Sequence, residues 1–334
     1  MMDEFGLIAD LFAPLAQGYP GAFGLLDDAA LVAAEPGKEI VVTVDAVVAG
    51  IHFLADDPAD LVARKLVRVN LSDLAAKGAE PFAVLLAAAF PQDVGAAWLR
   101  LFADGLGKDV RRYRIALIGG DTVATPGPLT LSLTALGRVA AGGMLRRAGA
   151  RAGDDLWVSG TLGDGALGLK AARGQLPGLA AGDLAALAER YRLPRPRVDL
   201  GPRLVGLAGA CMDVSDGLVQ DLGHMCRASG VGAAVDCTLL PLSPAARNAL
   251  AADDSLLACV LAGGDDYELL FTAPPAARAA VEAAAAESGV AVGRIGGIEV
   301  QPGVRVVDGA GRALAPAATG WRHFRAGTEG GGGE

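Results

Sequence analysis

Apolar and polar residues follow two periods along this chain, and the two periods take turns. Glu39–Asp45 alternates and is rich in β-branched residues, which predicts a strand. Pro58–Gly78 has a helical period, with proline at its start and glycine at its stop. A buried strand is predicted over Phe82–Phe90, a helix over Val94–Tyr113, and a strand over Arg114–Ile118 that runs into Gly119-Gly120-Asp121. Leu129–Val139 alternates again, and the basic, glycine-rich stretch Gly142–Gly153 reads as a linker. Beyond it the pattern predicts a strand at Asp155–Ser159, helices to about Arg192, the proline-bearing Leu193–Pro196, a strand at Cys211–Val214 and a helix over Gly217–Ser229. Later strands fit Val231–Asp236, Glu268–Thr272, Ala291–Ile295 and Val304–Asp308. The order gives two alternating α/β halves (an α/β, α+β class fold), 1–145 and 146–325, with a glycine-rich tail at 326–334 expected to be disordered.

Composition agrees with this division. A length of 334 residues favours two domains, and 52% hydrophobic residues suffice for sizeable cores. Mean hydropathy is positive. Even so, the longest apolar stretch, near Ala83–Phe90, is far short of the roughly 20 residues of a spanning helix. The start, Met1-Met2-Asp3-Glu4, lacks the basic region of a signal peptide. Cys211, Cys226, Cys237 and Cys259 form no Cys-x-x-Cys pair and read as free thiols of a reducing cytoplasm. Three scattered histidines argue against a His-built zinc site, and a net charge of −9 without a basic block argues against nucleic acid.

The candidate chemistry lies in acids at the ends of apolar runs. Asp27-Asp28, Asp45, Gly119-Gly120-Asp121, Asp213-Val214-Ser215-Asp216-Gly217 and Gly263-Gly264-Asp265-Asp266 share this setting. Each alone reads equally as a turn, because glycine supplies positive φ and aspartate caps locally. Asp73 is harder to explain that way. Val62, Leu66, Val69 and Asp73 recur at helical spacing, so Asp73 falls on the apolar stripe of its helix. A carboxylate there needs a salt bridge, a cap contact or a metal ion. Gathered carboxylates suit hard divalent cations. The Asp213–Gly217 run sits between a strand and a helix, so its amides could face a phosphate, or Ser215 or Asp216 could serve as an ordinary N-cap. Gly163–Gly168 matches G-x-G-x-x-G after a strand, but no strand ending in an acid follows at about 20 residues, against dinucleotide binding. There is no G-x-x-x-x-G-K-[ST] run.

Taken together and in order, these motifs resemble bacterial thiamine-monophosphate kinases. The resemblance runs from Asp27-Asp28 through Thr43-Val44-Asp45, Ala49–Phe53, Val69–Ala76, Leu117–Thr122, Arg147–Ala150, Met212–Gly217, Asp221–His224 and Gly263–Leu270 to Trp321. The wider superfamily includes aminoimidazole ribonucleotide synthetase, selenophosphate synthetase and a hydrogenase-maturation protein. The chain lacks the N-terminal redox cysteine expected of the second and the C-terminal cysteine of the third.

The resemblance implies a two-domain fold whose N-terminal sheets join in a barrel-like homodimer. It also implies direct phosphoryl transfer from ATP to thiamine monophosphate; the alternatives are a sister enzyme of the superfamily that phosphorylates a carbonyl or amide oxygen, or a non-catalytic nucleotide-binding protein. By the same resemblance Asp28, Asp45, Asp73, Asp121, Asp213 and Asp216, with Thr43, are expected to hold several Mg²⁺ ions. Gly120, Asp121, Arg147 and Ser215 are expected at ATP, with Arg147 catalytic, and His52, Asp265 and Trp321 at the thiamine side. Two positions depart from the family: Leu26 where glycine is usual, and Asp265 where glutamate is common.

Overall fold

The computed structural model describes residues 4–27 and 29–314. Asp28, Trp321 and the 326–334 tail therefore lie outside the described residues. The first element is a short helix, α1 (Glu4–Leu7), followed by irregular helical turns over residues 8–25. Then come β1 (Lys38–Val48), α2 (Ala59–Ala76), β2 (Glu80–Pro91), α3 (Ala96–Tyr113), β3 (Ala116–Thr125) and β4 (Thr130–Ala140). These strands form a sheet in the order β1-β4-β2-β3, antiparallel except between β2 and β3. Parallel neighbours require a crossover, and α3 supplies it. Within the chain the sheet is open, with β1 and β3 as its edges.

The second half runs β5 (Asp155–Ser159), α4 (Asp164–Ala172), α5 (Ala181–Arg192), β6 (Ala210–Asp213), α6 (Leu218–Ser229), β7 (Gly232–Asp236), α7 (Pro244–Ala252), α8 (Leu257–Ala262), β8 (Leu269–Ala273), α9 (Arg278–Ser288), β9 (Val292–Glu299), β10 (Gly303–Val307) and β11 (Ala313–Leu314). Its sheet has the order β11-β10-β7-β9-β5-β8-β6. Each sheet has its own core: Leu66, Phe102, Leu131 and Leu133 in the first, Leu156, Val158, Leu222 and Ile295 in the second. A third cluster joins them, setting Ala75 and Ala76 of α2 against Leu200, Leu204 and Phe271.

Alternation along β1 separates two faces. Val41 and Val47 are buried and Thr43 and Asp45 half-buried, while Ile40, Val42 and Val44 are exposed. Helix α2 is less simple than one apolar stripe, because both of its sides are covered. Lys65, Arg68 and Ser72, spaced so as to share one side, are all buried toward the second domain. Arg68 pairs with the buried Asp109 of α3 at 2.6 Å and donates to the Pro194 carbonyl at 3.1 Å. The Gly142–Gly153 connector is pinned: the Leu145 amide donates to the Lys77 carbonyl, and the Cys211 amide to that of Arg146.

The two Gly-Gly-Asp runs have different structures. Gly119–Asp121 lies inside β3, paired with Leu85–Ala87, and does not end the strand. A Cβ on Gly120 would sit 1.9 Å from the Leu86 carbonyl oxygen, so glycine is needed for the two strands to approach. Gly263–Asp265 instead leaves the end of α8. At Leu26 the backbone has φ −102, open to any residue, so no glycine is required there.

Candidate active site

The seam between the domains gathers most of the expected acids around α2. Thr43 of β1 donates its hydroxyl to Asp73 at 2.5 Å. Three residues earlier on the same helix face, the Asn70 side chain accepts the Asp45 amide at 3.0 Å. On the other side of α2, Ser72 donates to Asp213 at the end of β6, at 2.7 Å. Asp73 is therefore half-buried at the edge of a polar seam and is satisfied by a hydroxyl.

These carboxyls feel one another. Asp45 is pushed up to about 6, first by burial and then by Asp73 and Asp216. Asp213 is pushed up to about 8, by burial first and by Asp73 next, with the Ser72 hydroxyl pulling the other way. Mutually repelling, partly desolvated carboxylates are a donor set that a divalent cation would relieve. Among the described residues, no three His, Cys, Asp or Glu side chains are already closed around one point. Asp121 stands exposed on β3, and Asp216 accepts from Gln220 at 3.1 Å.

The Asp213–Gly217 turn corrects one expectation. The amides of Ser215, Asp216 and Gly217 do not face outward for a phosphate; all three donate to one oxygen of Asp221, at 3.0, 3.0 and 3.1 Å. Neither Ser215 nor Asp216 is the N-cap of α6; that position is Gly217, at φ 119. A carboxylate one turn into the helix has taken the anion's place, which leaves the Ser215 and Asp216 side chains free of capping work. The G-x-G-x-x-G loop is occupied in the same way. The Gly163 and Gly165 amides donate to the buried Asp266 at 2.7 and 2.9 Å.

At the other end of the seam, His52 and Asp265 meet through a residue that the pattern of acids does not disclose. Buried Lys65 donates to the His52 carbonyl at 2.9 Å and to Asp265 at 3.2 Å, and lies 3.8 Å from the centre of the Tyr191 ring. The His52 ring nitrogen Nδ1 accepts the Val48 amide at 3.0 Å, so that ring is oriented by its own turn. Below Asp265, Glu268 is fully buried and takes Arg190, Arg197 and Ser159. Arg147 is exposed beside α6; burial, then Arg227 and then Arg147, hold His224 below its ordinary range. Asn70, Ser72, Lys65 and Asp221 had one signal in sequence, polar residues recurring on the flanks of an otherwise apolar helix or just after a helix start. Their partners lie in other segments.

The family described as AIR synthase related protein, N-terminal domain, matches residues 26–139, and its C-terminal domain matches 151–309. The thiamine-monophosphate kinase of Caulobacter vibrioides is 46% identical over 323 residues, covering 96% of this chain and 90% of that protein. Among solved structures, the thiamine-monophosphate kinase of Stenotrophomonas maltophilia is 44% identical with a TM-score of 0.79, covering 87% of this chain and 91% of that one. AaThiL complexed with AMPPCP and TMP is 30% identical with a TM-score of 0.76, over 97% of both chains. With both domains matched and near-complete coverage of such relatives, this chain belongs to the thiamine-monophosphate kinase family of AIR synthase related proteins.

Proposed function

We propose that this protein transfers the γ-phosphoryl group of ATP directly to the phosphate of thiamine monophosphate, giving thiamine diphosphate and ADP without a phosphoenzyme. The observation that carries the reading is the set of coupled carboxyls at the domain seam, Asp45, Asp73, Asp213 and Asp216, in a chain of this family. The relative solved with AMPPCP and TMP supports the pair of substrates. The reaction completes thiamine diphosphate synthesis.

An acceptor that is already an anionic phosphate oxygen needs little help from a general base. The protein's task is to bring anions together and align them in line. Asp45, Asp73, Asp213 and Asp216, joined by Asp28 and Asp121 and assisted by Thr43, would hold several Mg²⁺ ions. Bound there, Mg²⁺ supplies charge neutralisation across the phosphates. The chain's own residues prepare that site. Asn70 fixes the Asp45 backbone, Thr43 turns the Asp73 carboxylate, and Ser72 orients Asp213. Arg147, with Gly120 and Ser215, would contact the ATP phosphates; an exposed guanidinium suits a bidentate hold on a charged oxygen. His52, Asp265 and Trp321 would meet thiamine, whose thiazolium cation suits a carboxylate and an aromatic face.

The division of the chain at 145/146 belongs to the same reading. So does a barrel-like homodimer built from two first sheets, which the exposed apolar face of Ile40, Val42 and Val44 supports. Free cysteines fit a cytoplasmic setting. No helix among the described residues is long and apolar enough to cross a membrane. The net charge of −9 supports the absence of a nucleic-acid partner.

Incubation with ATP and Mg²⁺, with and without thiamine monophosphate, tests the reading. ADP release that depends on the thiamine phosphate is the expected result, with thiamine diphosphate as the matched product. Silence with that acceptor would overturn it.

A further inference from the structure

On the N-terminal half, the C-terminal end of α3, the start of β3 and the turns before residue 20 enclose a concavity of about 580 Å³. Three arginines line it: Arg111 from the last turn of α3, Arg114 at the C-cap of that helix, and Arg138 from β4. Tyr19 and Phe82 complete the wall, stacked with ring centres 6.5 Å apart, and the Arg138 guanidinium lies 3.7 Å from the centre of the Phe82 ring. Arg138 is paired with Glu35 at 2.9 Å. Arg111 and Arg114 are exposed and take part in none of the ion pairs among the described residues.

An arginine in the last turn of a helix complements the helix dipole, which is a sufficient account of Arg111 alone. It reaches Arg114 as well, the C-cap of that helix, but not Arg138, which arrives from another strand. Nor does general surface charge account for them, because the chain carries a net charge of −9. A concavity lined by one sign of charge concentrates the field and attracts ions of the other sign. Guanidinium forks match phosphate oxygens in pairs. The volume suits a small molecule and is too confined for a duplex.

We propose that this concavity is an accessory anion site that takes a small phosphorylated molecule, with its phosphate groups held by Arg111, Arg114 and Arg138. The apolar wall of Pro14 and Leu15 would face the rest of such a ligand. The site uses no residue assigned to phosphoryl transfer, so its occupancy and the catalytic reading stand or fall separately.

The test uses the full chain and pyrophosphate as probe, titrated by calorimetry in metal-free buffer with EDTA, with sodium chloride at matched ionic strength as control. Saturable binding at one site per chain is expected. Affinity should fall at least tenfold in an Arg111→Gln/Arg114→Asn variant; asparagine keeps the positive φ of 55 found at Arg114 accessible. Binding should persist in Asp213→Asn, which lies at the seam. If the double variant does not fold, Arg111→Gln alone, on an exposed helix surface, should weaken binding in the same direction. Absence of saturable heat, equal affinity in the arginine variants, or loss of binding in Asp213→Asn would each overturn the proposal. Inorganic phosphate and a phosphorylated sugar, run as further arms, separate a bare-anion site from one that also reads the organic part. The site as proposed requires the sugar phosphate to bind at least as tightly as inorganic phosphate, and weaker binding would overturn it.

Discussion

The Ser72 hydroxyl donates to the Asp213 carboxylate at 2.7 Å, linking the central helix of the first domain to the last residue of β6 in the second. Both residues are buried, so neither group has water as a substitute partner. Ser72→Ala would leave a buried acceptor short of its donor, at a cost of about 1–3 kcal/mol. Urea unfolding of the two proteins measures it. A variant as stable as the parent would show that the contact carries no net stability.

Asp213 also yields a prediction of opposite sign in two buffers. Burial and the neighbouring Asp73 push its carboxyl up to about 8, so without a cation the group is mostly protonated near neutral pH. Asparagine resembles that neutral form. In metal-free buffer Asp213→Asn should melt at or above the parent's temperature. With Mg²⁺ and ATP the parent should gain stability, about 2.7 kcal/mol at a hundredfold excess over its dissociation constant, while the variant gains much less. Turnover should drop by at least ~100-fold. Near-parental turnover at saturating Mg²⁺ would remove Asp213 from the metal-binding set.

Asp266, next to Asp265, sets a second pH dependence. Burial pushes it up to about 8, against the pull of the Gly163 and Gly165 amides. Its unfolded value is about 3.9. Between those two values the folded chain holds more proton than the unfolded one, so this group's contribution to stability falls as pH rises from about 4 and levels off above about 8. Asp266→Asn does not titrate. The stability difference, parent minus variant, should therefore shrink between pH 5 and pH 8 in urea unfolding. A difference that grows over that range would mean that the two amides outweigh burial.

The periods of the sequence disclose the strands and helices well, and the two faces of β1 with them. Thr43 and Asp45 fall opposite Val42 and Val44 because strand side chains alternate. Hidden from that reading is which distant group satisfies a buried charge. Asp266 lies about a hundred residues from the glycine loop whose amides it binds, and Asp221 reaches back against the chain direction to cap its own turn. Lys65 and Arg68 follow from no apolar stripe, because α2 is covered on two sides by two domains. A desolvated charge must have a partner, but composition and spacing do not say which segment will bring it. The local likeness of Gly119–Asp121 and Gly263–Asp265 misleads for the same reason: strand pairing with β2 decides one, and a helix end decides the other.

Gly119 and Gly120 are adjacent in β3, yet they should respond differently to the same change. Gly120 faces Leu86 across the parallel pair, and an added Cβ would lie 1.9 Å from the Leu86 carbonyl oxygen and 2.9 Å from its carbon. Backbone cannot swing aside as a side chain does, so β3 would have to move away from β2, taking Asp121 with it. Overpacking of this kind costs about 1–3 kcal/mol. At Gly119 the nearest atom to an added Cβ is Cδ2 of the Leu85 side chain at 3.4 Å, a contact that a rotamer change can relieve. Gly120→Ala should therefore lower the melting temperature and raise the KM for ATP, whereas Gly119→Ala should change either one little. Steady-state kinetics at varied ATP, with melting curves on the same preparations, compare the two. Equal effects from both substitutions would show that the strand approach at Leu86 does not fix the position of Asp121.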